Sequence, residues 1–276
     1  MGLKPTAAEL DRVTIIAATD MPEPAVLRFA GGEICYFTAR APDKETPNED
    51  SLGLIPWGGN GGVLVVCDGL GGQPSGADAS RTAVRCLADS IAATPPGNGG
   101  LREAILDGIE KANRRVAGLG VGAATTLVLL EIQGALVRPY HVGDSMILVS
   151  GQRGRIKLQT VSHSPVGYAV EAGFLDEQEA MHHEERHLIS NMIGTPDMRI
   201  EIGTAVELAR RDTALLASDG LFDNLHLDEI VERMRCGPIN KGANALRLDS
   251  LARMTGIASG MPSKPDDLSF ILYRPA

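Results

Sequence analysis

Val63-Leu64-Val65-Val66-Cys67-Asp68-Gly69-Leu70-Gly71-Gly72 opens with five β-branched or apolar residues and reads as a buried strand. The strand ends on a carboxylate, Asp68, and three glycines follow within four positions. Burying a carboxylate at the end of a core strand is costly unless a cation or several donors meet it. Glycines let the backbone turn sharply and bring its carbonyls close to whatever sits there. The stretch suits half of a metal site, and it equally suits a plain Asp-Gly turn. Recurrence of the same pattern downstream favours the site.

The chain has 276 residues, enough for one large domain or two small ones, and 43% of them are hydrophobic, enough for a sizeable core. Aromatics make up only 4%, so packing must rest on Val, Leu, Ile and Ala. A formal charge of −9 argues against nucleic acid and anionic membrane as partners. It leaves room for an anionic substrate, because a bound divalent cation reverses the local field. Cys35, Cys67, Cys86 and Cys236 show no C-x-x-C spacing and read as free thiols in a reducing compartment. With neither a signal-like segment nor a long apolar run, the expectation is a soluble cytoplasmic protein.

Working outward, strands are expected at 13–17, 33–38 and 51–55, and a glycine cluster at 58–62 turns the chain into the opening strand. Helical periodicity covers 76–91 and 101–117, with a Pro- and Gly-rich loop between. Strands resume at 124–132 and 135–142, then at 146–150 and 156–161, each pair joined as a hairpin. From His163 to Thr195 the pattern is irregular and helical, an excursion rather than sheet. Strands at 199–208 and 213–217, helices at 227–235 and 243–255, and a strand at 268–273 complete the chain. Neither a repeat nor an inter-domain linker is apparent, so residues 1–276 are read as a single domain. Hairpins interrupted by helix pairs make an α+β arrangement: a central β-sandwich of two mainly antiparallel sheets flanked by pairs of helices.

Three strands or hairpins end in an acid-glycine or glycine-acid unit: Asp68-Gly69, Gly143-Asp144 and Asp219-Gly220. Asp267 opens the last strand, and Glu49-Asp50 sits at a turn. If these ends converge, the carboxylates repel one another strongly unless cations neutralise them. Oxygen donors without His or Cys select Mg²⁺ or Mn²⁺.

In order along the chain stand Asn-Glu-Asp (48–50), Asp-Gly-x-Gly-Gly (68–72), Thr-Thr (125–126), Gly-Asp-Ser (143–145), Ser-Asp-Gly-x-x-Asp (218–223) and Asp-Asp (266–267). This series resembles the metal-dependent protein Ser/Thr phosphatases of type 2C, the PPM family, from about Thr38 to Tyr273. The segment Val170-Glu171-Ala172-Gly173, with Asp176 to Ala180, is similar to the flap of bacterial members, an insertion near 163–197. The resemblance implies a phosphoserine and phosphothreonine phosphatase working through a metal-activated water at a binuclear Mn²⁺ or Mg²⁺ centre. By it, Asp68 bridges two ions, Gly69 gives its carbonyl, and Asp219 and Asp267 complete the first ion's ligands. Glu49 and Asp50 bind or orient water on the second ion. Asp144 and Asp223, with Asp219, match a weaker third site. Asp50, Asp68 and Asp219 carry the catalysis. The implied partner is a phosphorylated protein, in opposition to a Ser/Thr kinase, for a monomeric enzyme.

Three departures stand out. Glu45 occupies the position where the family carries a phosphate-gripping arginine, so either Lys44 or Arg40 is expected to substitute or the phosphate is held by metals alone. Leu70 replaces a histidine frequent in eukaryotic members, and Leu268 stands where an Asn would follow Asp267. A catalytically weak module that only binds phosphoproteins is a second reading, supported by the missing arginine alone. A third is a zinc protease, from His183-Glu184-Glu185-Arg186-His187, if 179–191 is helical. Only three of those positions are diagnostic, and no third-ligand motif follows. Ser162-His163 with Asp176 invites a hydrolase triad, but neighbouring side chains on an extended segment point apart, and an exposed loop is expected there. His141 is expected to be a packed or hydrogen-bonded strand histidine, and Trp57 a loop anchor.

Overall fold

The structure, a computed structural model, describes residues 8–70, 75–97, 100–120, 122–257 and 261–276. Gly71 and Gly72 of the opening motif lie outside the described residues. The chain begins with β1 (Thr14–Ala17), β2 (Ala25–Phe29) and β3 (Gly32–Ala39). Then come β4 (Ser51–Pro56), β5 (Gly61–Cys67) and the short β6 (Gly69–Leu70). Two long helices follow, α1 (Ser75–Ala92) and α2 (Leu101–Ala117). Next are β7 (Ala124–Thr125), β8 (Leu127–Gln133), β9 (Leu136–Val142), β10 (Met146–Ser150) and β11 (Ile156–Gln159). The flap contributes α3 (Pro165–Glu171) and α4 (Glu177–Met181). The remainder is β12 (Glu201–Ile202), β13 (Val206–Glu207), β14 (Thr213–Ala217), α5 (Asp219–Phe222), α6 (Leu227–Met234), α7 (Ile239–Met254) and β15 (Leu268–Pro275).

One sheet runs β1-β4-β5-β8-β9, with β12 and β13 both on β9; the other runs β11-β10-β14-β15-β3-β2. The named strands pair antiparallel throughout. The sheets stack face to face, and each carries helices on its outer face. That four-layer order explains the continuous apolar run in β5. Val63, Val65 and Cys67 pack under α1 and α2. Leu64 and Val66, on the other face, pack against Ile147, Leu216 and Ile271 of the second sheet. A strand covered on both faces has no solvent side on which to place polar residues. β15 repeats the logic: Leu268, Phe270 and Leu272 meet the α5–α7 layer, while Ile271 and Tyr273 face the first sheet.

Sequence and structure differ at several places, among them the strand expected over 124–132, which divides into β7, paired with β6, and β8, paired with β5 and β9. β2 is not among the strands expected from the sequence, although Pro22 and Pro24 before it and Ala30-Gly31 after it bound the short AVLRF run. The expected strand over 199–208 is two short pieces, because both pair only with the edge of β9. The Ser-Asp-Gly unit after β14 opens a single helical turn, α5, ahead of the first helix expected at 227.

Register places the acidic motifs. Ser51 of β4 pairs with Cys67 of β5, so Asp50 and Asp68 leave adjacent strands at the same end. Met146 of β10 pairs with Ala217 of β14, so Asp144 and Asp219 do the same. Ala217 pairs with Phe270 of β15, which brings Asp266 and Asp267 there too. Antiparallel pairing alternates strand starts and ends, so one edge of the sandwich collects acids from both sheets.

Candidate metal and phosphate site

The polar residues among the motifs build the scaffold. Thr125 Oγ1 donates to the Asp68 carbonyl at 2.7 Å, and Asp68 N donates to Thr126 Oγ1 at 3.0 Å. Thr126 Oγ1 also meets Ser145 Oγ at 2.7 Å, tying the Asp68 strand to the Asp144 turn. Asn48 Oδ1 accepts from Asp50 N at 2.9 Å, and Ser218 Oγ donates to Asp50 Oδ2 at 3.0 Å. The Thr-Thr pair, Asn48, Ser145 and Ser218 are thus structural supports for the carboxylates.

Two glycine contacts make the close approach possible. A Cβ on Gly69 would lie 2.1 Å from the Gly76 carbonyl, and one on Gly76 would lie 2.3 Å from Glu49 Oε1. The first turn of α1 therefore seats directly on the Asp68-Gly69 and Glu49 backbones. A Cβ on Gly220 would lie 2.0 Å from the Asp267 carbonyl, which is why glycine follows Asp219.

The acids that converge are Glu49, Asp50, Asp68, Asp144, Asp219, Asp223 and Asp266. Burial, and then the charge of Asp50 and Asp219, holds the Asp68 carboxyl well above the usual range. Burial and Asp267 do the same to Asp50. Asp144 is pushed up to about 8 by burial and then by Asp219 and Asp223, and Asp266 to about 7 by burial and then by Asp219. Asp223 rises for the same reasons. Glu49 Oε1, Asp50 Oδ1, Asp144 Oδ1 and Asp219 Oδ1 are buried without a hydrogen-bond partner. Buried acceptors are ordinarily paired. Crowded, desolvated and unpaired carboxylate oxygens fit hard divalent cations such as Mg²⁺ or Mn²⁺.

The Asp266-Asp267 pair corrects the sequence reading by one residue. Asp267 was expected as a metal ligand, but its Oδ1 accepts from Ala41 N at 2.8 Å. Its Oδ2 accepts from Glu49 N and Lys44 Nζ, each at 2.7 Å. Its carboxylate is saturated by the 41–49 loop. Asp266 is the one that shares the field of Asp219 and Asp68. Successive residues entering a strand point to opposite sides, which sends the Asp267 carboxylate to the 41–49 loop and the Asp266 carboxylate towards Asp219.

The expected phosphate cations are also displaced. Arg40 Nε lies 3.2 Å from Asp20, on the outside of β3. Lys44 is bound between Glu49 Oε2 at 2.9 Å and Asp267 at 2.7 Å. Burial alone would lower the Lys44 pKa, but those two carboxylates outweigh it and raise it. Lys44 is therefore a counter-charge inside the ring of acids. Glu45 is exposed.

A cavity of 630 Å³ opens beside Asp144, Asp219 and Asp223. Its walls come from the flap (Val166, Val170, Met181, Arg186) and from the α5–α6 segment (Phe222, Leu227). Arg186 is the Lys or Arg of this lining; it donates to the carbonyls of Met181 and Ser263 and draws down the Asp223 pKa. The sequence reading missed Arg186 as a site residue, because it lay inside the H-E-x-x-H match. That match has no helical basis: α4 ends at Met181, and His183 Nδ1 accepts from Glu185 N in a turn.

His163 is buried, contrary to the exposed loop expected. Its Nδ1 accepts from Gly143 N at 3.1 Å, and its Nε2 meets Glu201 Oε2 at 3.1 Å. Ser162 Oγ turns to Ser164 Oγ, so the triad does not form. His141 is a packed strand histidine as expected; its Nε2 meets the Val161 carbonyl at 2.8 Å. His141, His163 and Glu201 lie close enough to suit a metal. These hydrogen bonds occupy the ring nitrogens that face the group, so it acts as a clasp at the flap's base.

Residues 39–245 match the family model described as protein phosphatase 2C, three quarters of the chain. The chain belongs to the protein phosphatase 2C family. Members of this family are phosphoprotein phosphatases, and so is this chain. It is 31% identical over 195 residues to the protein phosphatase PhpP of Streptococcus pneumoniae, covering 68% of this chain and 78% of that one. It superposes on a Streptococcus agalactiae serine/threonine phosphatase with a TM-score of 0.76 at 26% identity, over 89% of this chain and 100% of the other. It also resembles the catalytic domain of the serine/threonine protein phosphatase PstP solved in complex with two manganese ions. There the TM-score is 0.68 at 25% identity, over 90% of this chain and 98% of that one. Among the described residues, no helix is long and apolar enough to cross a membrane.

Proposed function

We propose that this 2C phosphatase hydrolyses phosphoserine and phosphothreonine in proteins with a water activated at a pair of divalent ions, Mn²⁺ or Mg²⁺. The observation that carries the reading is the set of buried carboxylate oxygens without partners on Glu49, Asp50, Asp144 and Asp219. Asp68, the Gly69 carbonyl, Asp219, Asp266 and Glu49 would hold the pair of ions. Asp266 takes the role that the resemblance implies for Asp267, and Asp144 and Asp223 flank the pair. When bound, such ions lower the pKa of water and offset charge on the phosphoryl oxygens.

The chain's own residues do the rest. Asp50, locked by Ser218 and Asn48, is placed to accept a proton from water at its free Oδ1. Asp267 and Lys44 hold the Glu49 loop in place. Arg186 supplies positive charge at the cavity mouth where Glu45 supplies none, and it is the best candidate to orient a phosphopeptide. The apolar walls around Val166, Val170 and Phe222 shield the reacting end from bulk water.

A single domain over 1–276, acting as a monomer against a Ser/Thr kinase in the cytoplasm, fits this reading. Free, buried Cys35, Cys67 and Cys86 suit a reducing compartment. The test is turnover of p-nitrophenyl phosphate and of a phosphothreonine peptide, with Mn²⁺ and with EDTA. Both substrates should turn over only with the metal. Full turnover after exhaustive chelation would sink the mechanism, and binding of the phosphopeptide without turnover would favour the non-catalytic module.

A further inference from the structure

We propose that Lys264 is a resident cation of the acid cluster, occupying a position that a divalent ion would otherwise take. The inference rests on the metal reading above. Lys264 Nζ lies 2.5 Å from Asp219 Oδ2, 2.8 Å from Asp223 Oδ2 and 3.3 Å from Asp266 Oδ2. The contact with Asp219 is a hydrogen bond, and those with Asp223 and Asp266 are ion pairs. The side chain is not there by chance of a loose loop. Lys264 N donates to Asn224 Oδ1 and its carbonyl accepts from Asn224 Nδ2, each at 2.9 Å, and Pro265 stiffens the next residue. Asn224 is itself buried. The main chain is thus clamped so that the lysine stem points into the cluster.

Geometry divides the carboxylates between two uses. Asp219 gives Oδ2 to Lys264 and keeps Oδ1 buried and unpaired. Asp144 Oδ1 is also buried and unpaired, on the Asp219 and Asp223 side. Asp68 lies among the other acids, with Asp50, Asp219, Asp266 and Asp144 as its charged neighbours. The ammonium therefore sits on the Oδ2 side of Asp219, Asp223 and Asp266, and the unpaired Asp219 Oδ1, with Asp68, is left to metal. The ammonium also relieves repulsion when metal is absent, which a site built of carboxylates alone cannot do.

Lys264→Met keeps most of the stem and removes the charge; Lys264→Arg keeps the charge. Mn²⁺ binding to the full chain is counted by isothermal titration calorimetry and equilibrium dialysis, and melting is followed in EDTA. Lys264→Met should bind one more Mn²⁺ per chain than wild type and melt several degrees lower without metal. Lys264→Arg should keep the wild-type count. The same count in Lys264→Met as in wild type, at whatever affinity, overturns the proposal, and so does an extra ion in Lys264→Arg. If Lys264→Met fails to fold, Lys264→Gln carries the same comparison. The difference between variants decides this point, whereas failure of the wild type to bind Mn²⁺ strikes the paired-ion reading alone.

Discussion

Replacing Asp144 by asparagine should stabilise the metal-free protein, and increasingly so as pH rises. The Asp144 carboxyl is held up to about 8 by burial and by Asp219 and Asp223. An unfolded chain releases the same proton near pH 4 (about 3.9). Between those values the folded state binds the proton and the unfolded state does not. Stability therefore falls as pH rises from about 4 to about 8, and levels off beyond. Asparagine resembles the protonated carboxyl, so the variant lacks this loss. A shift of about four pH units at about 1.36 kcal/mol each sets a ceiling near ~6 kcal/mol. Asp144 titrates together with its neighbours, and Lys264 offsets part of the charge. The gain expected from one substitution is then about 2 kcal/mol. On a chain of this length that is roughly 4 °C in Tm. Thermal unfolding in EDTA at about pH 8 and about pH 5 reads it, and the gain at the lower pH should be less than half that at the higher. An equal gain at both pH values, or a loss at the higher one, would refute the argument that a crowded carboxylate is the cause.

Asp266→Asn and Asp267→Ala should separate cleanly. The first should weaken Mn²⁺ binding by calorimetry while the metal-free Tm holds or rises. The second strips the partners of Ala41 N, Glu49 N and Lys44 and should cost about 3 kcal/mol of stability. Reversed outcomes would return the metal role to Asp267. Arg40→Ala should leave the KM for p-nitrophenyl phosphate unchanged, because its guanidinium is engaged by Asp20. Glu45→Arg should lower that KM by restoring a cation where the family carries its arginine, and a KM that does not move would argue against a phosphate contact from that position. Arg186→Ala should raise the KM for a phosphothreonine peptide by more than it changes kcat. An equal fall in both kcat and kcat/KM would place Arg186 in the chemical step instead.

The sequence by itself determined the layers and pointed to the acidic motifs. β5 is apolar at every position because both its faces are covered, and period-two alternation cannot appear in such a strand. Helices α1 and α2 announce themselves by an apolar stripe at helical spacing, since only one face of each is buried. Asp68, Asp144 and Asp219 stand out because a carboxylate beside glycine at the end of an apolar strand has no ordinary structural reason to be there. Tertiary structure alone decided which oxygens face inward. Asp266 and Asp267 are identical in type and adjacent, and only the pairing of β15 with β3 and β14 sends one to Lys264 and the other to the Ala41–Glu49 loop. Lys264 and Lys44 look like ordinary surface lysines in the sequence, because the carboxylates that bind them come chiefly from distant strands. His163 was likewise read as exposed, since its partners Gly143, Asn191 and Glu201 are all 20 or more residues away. Local pattern reports what a residue's own strand or helix demands of it, whereas the charge a side chain meets is set by segments brought together only when the sheets pair and stack.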